Sequence, residues 1–195
     1  MGWTLSMAVV EGLSAEDVAD RLDMHLTNQT IGYDGGPEPA VGVHGDGRAV
    51  VLDNPYDEAP ALENERLLAR LSRATKVVLL QLNEHVNCGF YMTECWADGA
   101  MAWKVTHCRE EPETEELQVL GEPPASFAAI AGRYRARQAQ ADATGENICF
   151  LGAAVLDLFV WLTGIEYDRR GWWEEMRYRV LRTSIGRGAG PKTTP

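Results

Sequence analysis

The sequence predicts an α+β protein: a mixed, mainly antiparallel sheet with helices packed on one face and a helical C-terminal third. Three observations carry that expectation. β-rich runs separated by turn residues fill most of the chain up to about Leu120. After Pro124 the apolar period changes from two to near 3.6. Finally, 195 residues with 45% apolar side chains suffice for one sizeable core and are rather few for two. A single domain over 1–185 and a flexible, Gly-rich tail over 186–195 follow.

Trp3, Leu5, Met7 and Val9 alternate with smaller or polar residues, as in a half-buried strand. Ser14 is placed to cap the N–H of Asp17, with Leu13 stapling onto Val18, so a helix over about 15–24 is expected. Residues 32–39 are rich in Gly and Pro and read as a loop. Ala40–Val43 and Ala49–Leu52 flank Gly45-Asp46-Gly47 as a hairpin, and Pro55 ends its second strand. An amphipathic helix over about 58–74 sets Leu67, Leu68 and Leu71 inward. Val77 to Leu80 is apolar at every position, the mark of a central strand.

A polar turn over 83–87 leads to strands at about 88–96 and 101–108, joined at Asp98-Gly99, a strong hairpin dipeptide. The run from Glu110 to Glu116 is a solvated loop, and 117–120 adds an edge strand. Phe127, Ile130, Ala131 and Tyr134 form one helical stripe that stops at Gly145. An apolar helix over about 148–163 ends at Gly164. A last helix over about 171–182 carries Trp172, Trp173 and Met176.

Charge narrows the function. Asp and Glu number 29 against 18 Lys and Arg, for a net charge of −11. Residues 1–168 hold 27 acids against 11 bases, whereas 169–195 hold 2 against 7. Such a body repels nucleic-acid backbones and attracts basic partners. The basic C-terminal segment is expected to fold back on the acidic body, so nucleic-acid binding is not expected. No export signal is read at Met1-Gly2-Trp3-Thr4. The apolar run Ile148–Leu162 carries Asp157 and falls short of the roughly 20 residues of a bilayer span. Four Cys without close pairing then fit reduced thiols, and a cytoplasmic setting away from membranes is expected.

Chemical signatures are sparse. His85, Cys88, Cys95, His107 and Cys108 are zinc-type ligands, but a two-residue turn at Asp98-Gly99 splits them between the faces of a hairpin. That register sets Phe90, Met92, Trp96, Met101, Val105 and His107 on one face, with Cys95 and Cys108 on the other. No metal or other cofactor is expected. Cys88 and His107 remain as a two-residue contact, in acidic surroundings (Glu84, Glu94) that oppose a thiolate. There is no G-x-S-x-G, and the Gly-rich tail lacks the Lys-Ser/Thr of a phosphate loop. Asp53 to Asn64 lacks the Gly and terminal Glu of a calcium loop. Asp157 is a lone charge in an apolar helix, so it needs a basic partner, for which Arg177, Arg179 and Arg182 are available, or a solvent-facing strip.

Two segments carry a resemblance. Trp3-Thr4-Leu5 with Val9-Val10-Glu11-Gly12-Leu13-Ser14-Ala15-Glu16-Asp17-Val18, and Leu162-Thr163-Gly164-Ile165, resemble the start and close of small acidic actinobacterial proteins. Those proteins are similar in size and acidity to immunity or accessory proteins of toxin systems, which implies action by binding and carries over no catalytic residue. The expected function is therefore an acidic protein-binding module, immunity- or antitoxin-like, that occludes a partner with a basic surface. Glu110, Glu111, Glu113, Glu115 and Glu116 are its expected contact residues. The alternative is a small enzyme or ligand-binding domain with a pocket between the sheet and the 148–163 helix, lined by Cys88, His107 and Asp157. A third reading is a purely structural subunit, an obligate homodimer through Trp172 and Trp173.

Overall fold

The computed structural model describes residues 4–32, 38–53, 61–84, 89–109, 116–146, 148–166 and 176–183. The chain runs β1 (Thr4–Val10), α1 (Ala15–Arg21), β2 (Met24–Ile31), β3 (Ala40–Val43) and β4 (Ala49–Asp53). A 3₁₀ turn (Ala61–Glu63) precedes α2 (Glu65–Leu71) and β5 (Lys76–Asn83). β6 (Phe90–Ala97), β7 (Ala100–Cys108), β8 (Gln118–Gly121), α3 (Ser126–Thr144), α4 (Leu151–Thr163) and β9 (Tyr178–Thr183) follow. The strands form one sheet in the order β2-β9-β3-β4-β1-β5-β6-β7-β8. Every neighbouring pair is antiparallel. The α+β class is as the sequence predicts.

Local signals explain most elements. Ser14 and Asp17 form a reciprocal capping box at α1, and Asn64 caps α2 through the N–H groups of Arg66 and Leu67. Gly145 and Gly164 follow α3 and α4 in the left-handed conformation, as the sequence predicts. β5 lies beside β1 in the middle of the sheet, with Val77, Val78, Leu79 and Leu80 all buried. The edge strand near 117–120 is β8.

Helices lie on both faces, which corrects the expectation of one. α1, the 3₁₀ turn and α2 bury Val18, Leu22, Leu62, Leu68 and Leu71 against Ala8, Val10, Val77 and Leu79. On the opposite face, Phe159 and Ile165 pack against Leu5, Met7, Val9, Val78, Leu80 and Leu82. The physical reason is β1 itself, where six of seven residues are buried, so both pleat faces need cover. α3 packs outside α4, where Phe127, Ala131 and Tyr134 meet Leu151, Val155 and Leu158 above Trp103 and Val105.

Two further elements differ. The expected 171–182 helix is strand over Tyr178–Thr183, Met176 and Arg177 before it are not helical, and residues 171–175, Trp172 and Trp173 included, lie outside the described residues. β9 inserts between β2 and β3, with Val180 opposite Ala40 and Leu181 opposite Leu26. Tyr178, Val180 and Leu181 are buried there. β2 itself, Met24–Ile31, is a strand where the sequence predicts none. The C-terminal third is helical through α3 and α4 and then closes as strand.

The β6–β7 hairpin turns at Asp98 (φ 51°) and Gly99 (φ 82°), the two positive-φ positions of a tight hairpin turn. Pairing slips between Cys95 and Trp96: Cys95 faces Trp103, while Trp96 faces Met101. This β-bulge puts Tyr91, and not Phe90, opposite His107. Val105 and His107 therefore share the α4 face with Cys95, and Phe90, Met92 and Trp96 point to the other face. The expected face assignment is corrected by that single extra residue.

Candidate functional site

Two features stand out from this frame, one at the uncovered end of the sheet and one under α4. β8 closes the sheet at one end, and all four of its residues are exposed. Val119 is 46% and Leu120 58% exposed, which is high for strand aliphatics. On the face opposite α3 and α4, a groove of about 490 Å³ runs between α2 and strands β6–β8. Among the described residues, Trp96, Met101 and Leu120 contribute to its apolar floor, and Glu63, Glu65, Glu94 and Lys104 are its charged groups. Glu94 is buried, accepts from Trp96 Nε1 at 2.7 Å and lies 3.5 Å from Lys104 Nζ.

Of the expected contact residues, Glu116 lies just before β8. Glu116 is exposed, 4.0 Å from Arg135. Glu110, Glu111, Glu113 and Glu115 lie outside the described residues. Among the described indoles, Trp96 and Trp103 are buried and Trp161 on α4 is 58% exposed.

The second feature is a pocket of about 460 Å³ between β7 and the ends of α3 and α4. Its inner wall holds His107, 2% exposed, whose Nε2 lies 2.9 Å from Cys149 Sγ. His107 Nδ1 is buried and has no hydrogen-bond partner among the described residues. Cys149 sits two residues before α4. Burial pushes its thiol up, but the His107 hydrogen bond and charge, together with the N–H groups of Leu151 and Gly152, outweigh burial and hold it below the ordinary thiol range.

Neighbouring side chains fix this pair. The Tyr91 ring stacks on His107 at 6.5 Å, and a Cβ at Gly152 would stand 2.5 Å from that ring. Only a glycine lets the first turn of α4 approach so closely. Burial, the nearby Glu84 charge and then Cys149 push the Tyr91 hydroxyl up to about 12. Gln138 on α3 holds the segment that carries the thiol: its Oε1 accepts from Phe150 N at 2.7 Å and its Nε2 donates to Ile148 O at 3.0 Å. Arg109, Asp142 and Glu146 complete the rim.

Of the three residues expected to line a pocket under this helix, only His107 is placed there. Cys88 lies outside the described residues. Asp157 instead ties α4 to α3, 2.5 Å from Arg133 and accepting from the Tyr134 hydroxyl at 2.8 Å. Its partner is thus not the C-terminal segment, whose Arg179 and Arg182 bind Glu16 and Glu38. Burial first, and then the Asp157 bond, raise the Tyr134 hydroxyl. Cys149 is the residue that sequence reasoning missed. The available signal was a thiol directly before a helix start, where N–H groups favour the thiolate.

Among the described residues, no three His, Cys, Asp or Glu side chains come together as a metal site. No helix there is long and apolar enough to cross a membrane. Comparison with protein-family models, curated proteins and solved structures finds no match to the chain.

Proposed function

We propose that the chain is an acidic protein-binding module, immunity- or antitoxin-like, that docks a basic partner on the uncovered end of its sheet. The observation that carries this reading is the groove beside β8, an apolar floor with three carboxylates and one ammonium and an exposed strand next to it. A basic, extended segment of a partner fits that chemistry. Its backbone pairs along β8, its apolar side chains sit over Met101 and Leu120, and its Lys or Arg groups meet Glu63 and Glu65. The surplus of acid speeds encounter and makes association salt-dependent, while the buried apolar contacts set the lifetime of the complex. Occlusion of the partner's basic site is then steric and electrostatic and needs no chemistry from this chain. The Glu110–Glu116 run, five Glu between β7 and β8, adds to the same field.

The test begins with capture by the tagged full chain, elution on a salt gradient, and purification of the partner so identified. Binding kinetics of that purified partner are then compared for wild type, Leu120→Lys, and the double reversal Glu63→Lys with Glu65→Lys. We expect Leu120→Lys to weaken affinity at least about tenfold through faster dissociation. The double reversal, and reversal of the Glu110–Glu116 run, should slow association and flatten its salt dependence. Unchanged kinetics in both surface variants would remove this end of the sheet as the docking surface.

A further inference from the structure

We propose that Cys149 and His107 form a nucleophilic acyl-transfer site that takes a small ester or thioester into the pocket beneath α4. The proposal stands on geometry and is independent of the docking reading. The thiol and imidazole are within hydrogen-bond distance, 2.9 Å, which is the first requirement for a thiol activated by a base. They open onto a pocket of about 460 Å³, within the range of small-molecule sites. Leu151 and Gly152 direct N–H groups at Cys149 Sγ, so charge that develops on an attacked carbonyl oxygen arises beside the positive end of α4.

The Cys149 proton passes to His107 Nε2, and the thiolate adds to the acyl carbon. The tetrahedral oxyanion collapses, breaking the bond to the alcohol or thiol leaving group, which takes the proton from His107. A water then gives its proton to His107 and attacks the Cys149 thioester. Carboxylic acid and free thiol are released, and the imidazole returns its proton. Among the described residues, the charged or titratable groups facing Cys149 are His107 from β7 and Arg109 just after it, Tyr91 from β6, Asp142 from α3, and Glu146 just beyond α3. Among the described residues no carboxylate orients His107 as in a full triad; its orientation comes from the Tyr91 ring. Gln138 is a positioning residue, because it holds Ile148 and Phe150 on either side of the thiol.

The experiment uses the full chain with p-nitrophenyl acetate, read by nitrophenol release and by mass spectrometry of tryptic peptides. We expect one acetyl group on Cys149, formed at least about a hundredfold faster than in His107→Gln. Cys149→Ser should lose the labelling, and Cys108→Ser should keep it. Because His107 is buried and its variant could unfold, the wild-type protein is also alkylated with iodoacetamide across pH. Cys149 should react with a midpoint below that of an ordinary thiol, about 8.5. Acetylation spread over lysines with Cys149 unmodified, or a Cys149 midpoint at or above the ordinary value, overturns the proposal.

Discussion

β1 in the middle of the sheet and β8 at its end belong to one ladder and have opposite surroundings. Six of the seven β1 residues are buried, whereas all four β8 residues are exposed. Composition does not make that difference, since Val119 and Leu120 are as apolar as anything in β1. Cover makes it: among the described residues, β1 receives α1 and α2 on one face and α4 on the other, while α3 and α4 reach the far end of the sheet from one side alone. Stability is concentrated where both faces are covered, and apolar strand surface is left exposed where cover stops. Phe159→Ala should therefore have the largest effect, because Phe159 is fully buried against β1 and β5. A loss of about 3–5 kcal/mol is expected, seen as a lower denaturation midpoint at unchanged slope. A loss below about 1 kcal/mol would mean that α4 is not a structural lid on the sheet centre.

Gly152→Ala tests the same helix where it approaches the pocket. The added Cβ meets the Tyr91 ring, so either the ring or the first turn of α4 has to shift. Overpacking of this kind costs about 1–3 kcal/mol. The sharper readout is the iodoacetamide rate of Cys149, which should fall as the Tyr91–His107 stack loosens. Loss of stability with an unchanged thiol rate would show that the ring packs the helix without orienting the imidazole.

The covered centre was far more legible in the sequence than either functional feature. Ser14 with Asp17, Asp98-Gly99, Val77 to Leu80 and Gly164 are local signals with local causes, and each is found as predicted. β2 was missed because Met24–Ile31 carries Asn, Gln and two Thr with no clean alternation, being a partly exposed end strand. β9 was misread because Trp172, Trp173 and Met176 suggest helical spacing, whereas the Tyr178–Thr183 segment is held by pairing with β2 and β3 that no local pattern encodes. The bulge after Cys95 is equally non-local, and it alone turns His107 toward Cys149. The contact spans 42 residues, so neither partner announces the other.

Leu120→Lys tests the uncovered end and should have a small effect on folding. With Leu120 58% exposed, stability should stay within about 0.5 kcal/mol of wild type, while affinity for the purified partner falls. A destabilisation comparable with Phe159→Ala would mean that β8 is part of the core after all, and that its exposed residues are not held in reserve for a partner.

The smallest effects are electrostatic, and they separate two groups of one cluster by sign. The Cys149 thiol is lowered in the fold, so between that lowered value and the ordinary thiol pKa the unfolded chain binds more protons. Stability from Cys149 therefore rises with pH across that window and is lost as pH falls through the folded pKa. Tyr91 is raised from 10.0 to about 12, so in that interval the native state binds more protons and stability falls as pH rises. Denaturation midpoints measured from pH 7 upward should thus climb and then decline. Cys149→Ser should flatten the climb, and Tyr91→Phe should flatten the decline between pH 10 and about 12. Both groups are only half-buried, so solvent screening keeps each slope shallow beside the loss at Phe159. If Cys149→Ser leaves the rising limb intact, the fold does not lower the Cys149 thiol. The uncovered end of the sheet would then be left as the stronger functional feature of the two.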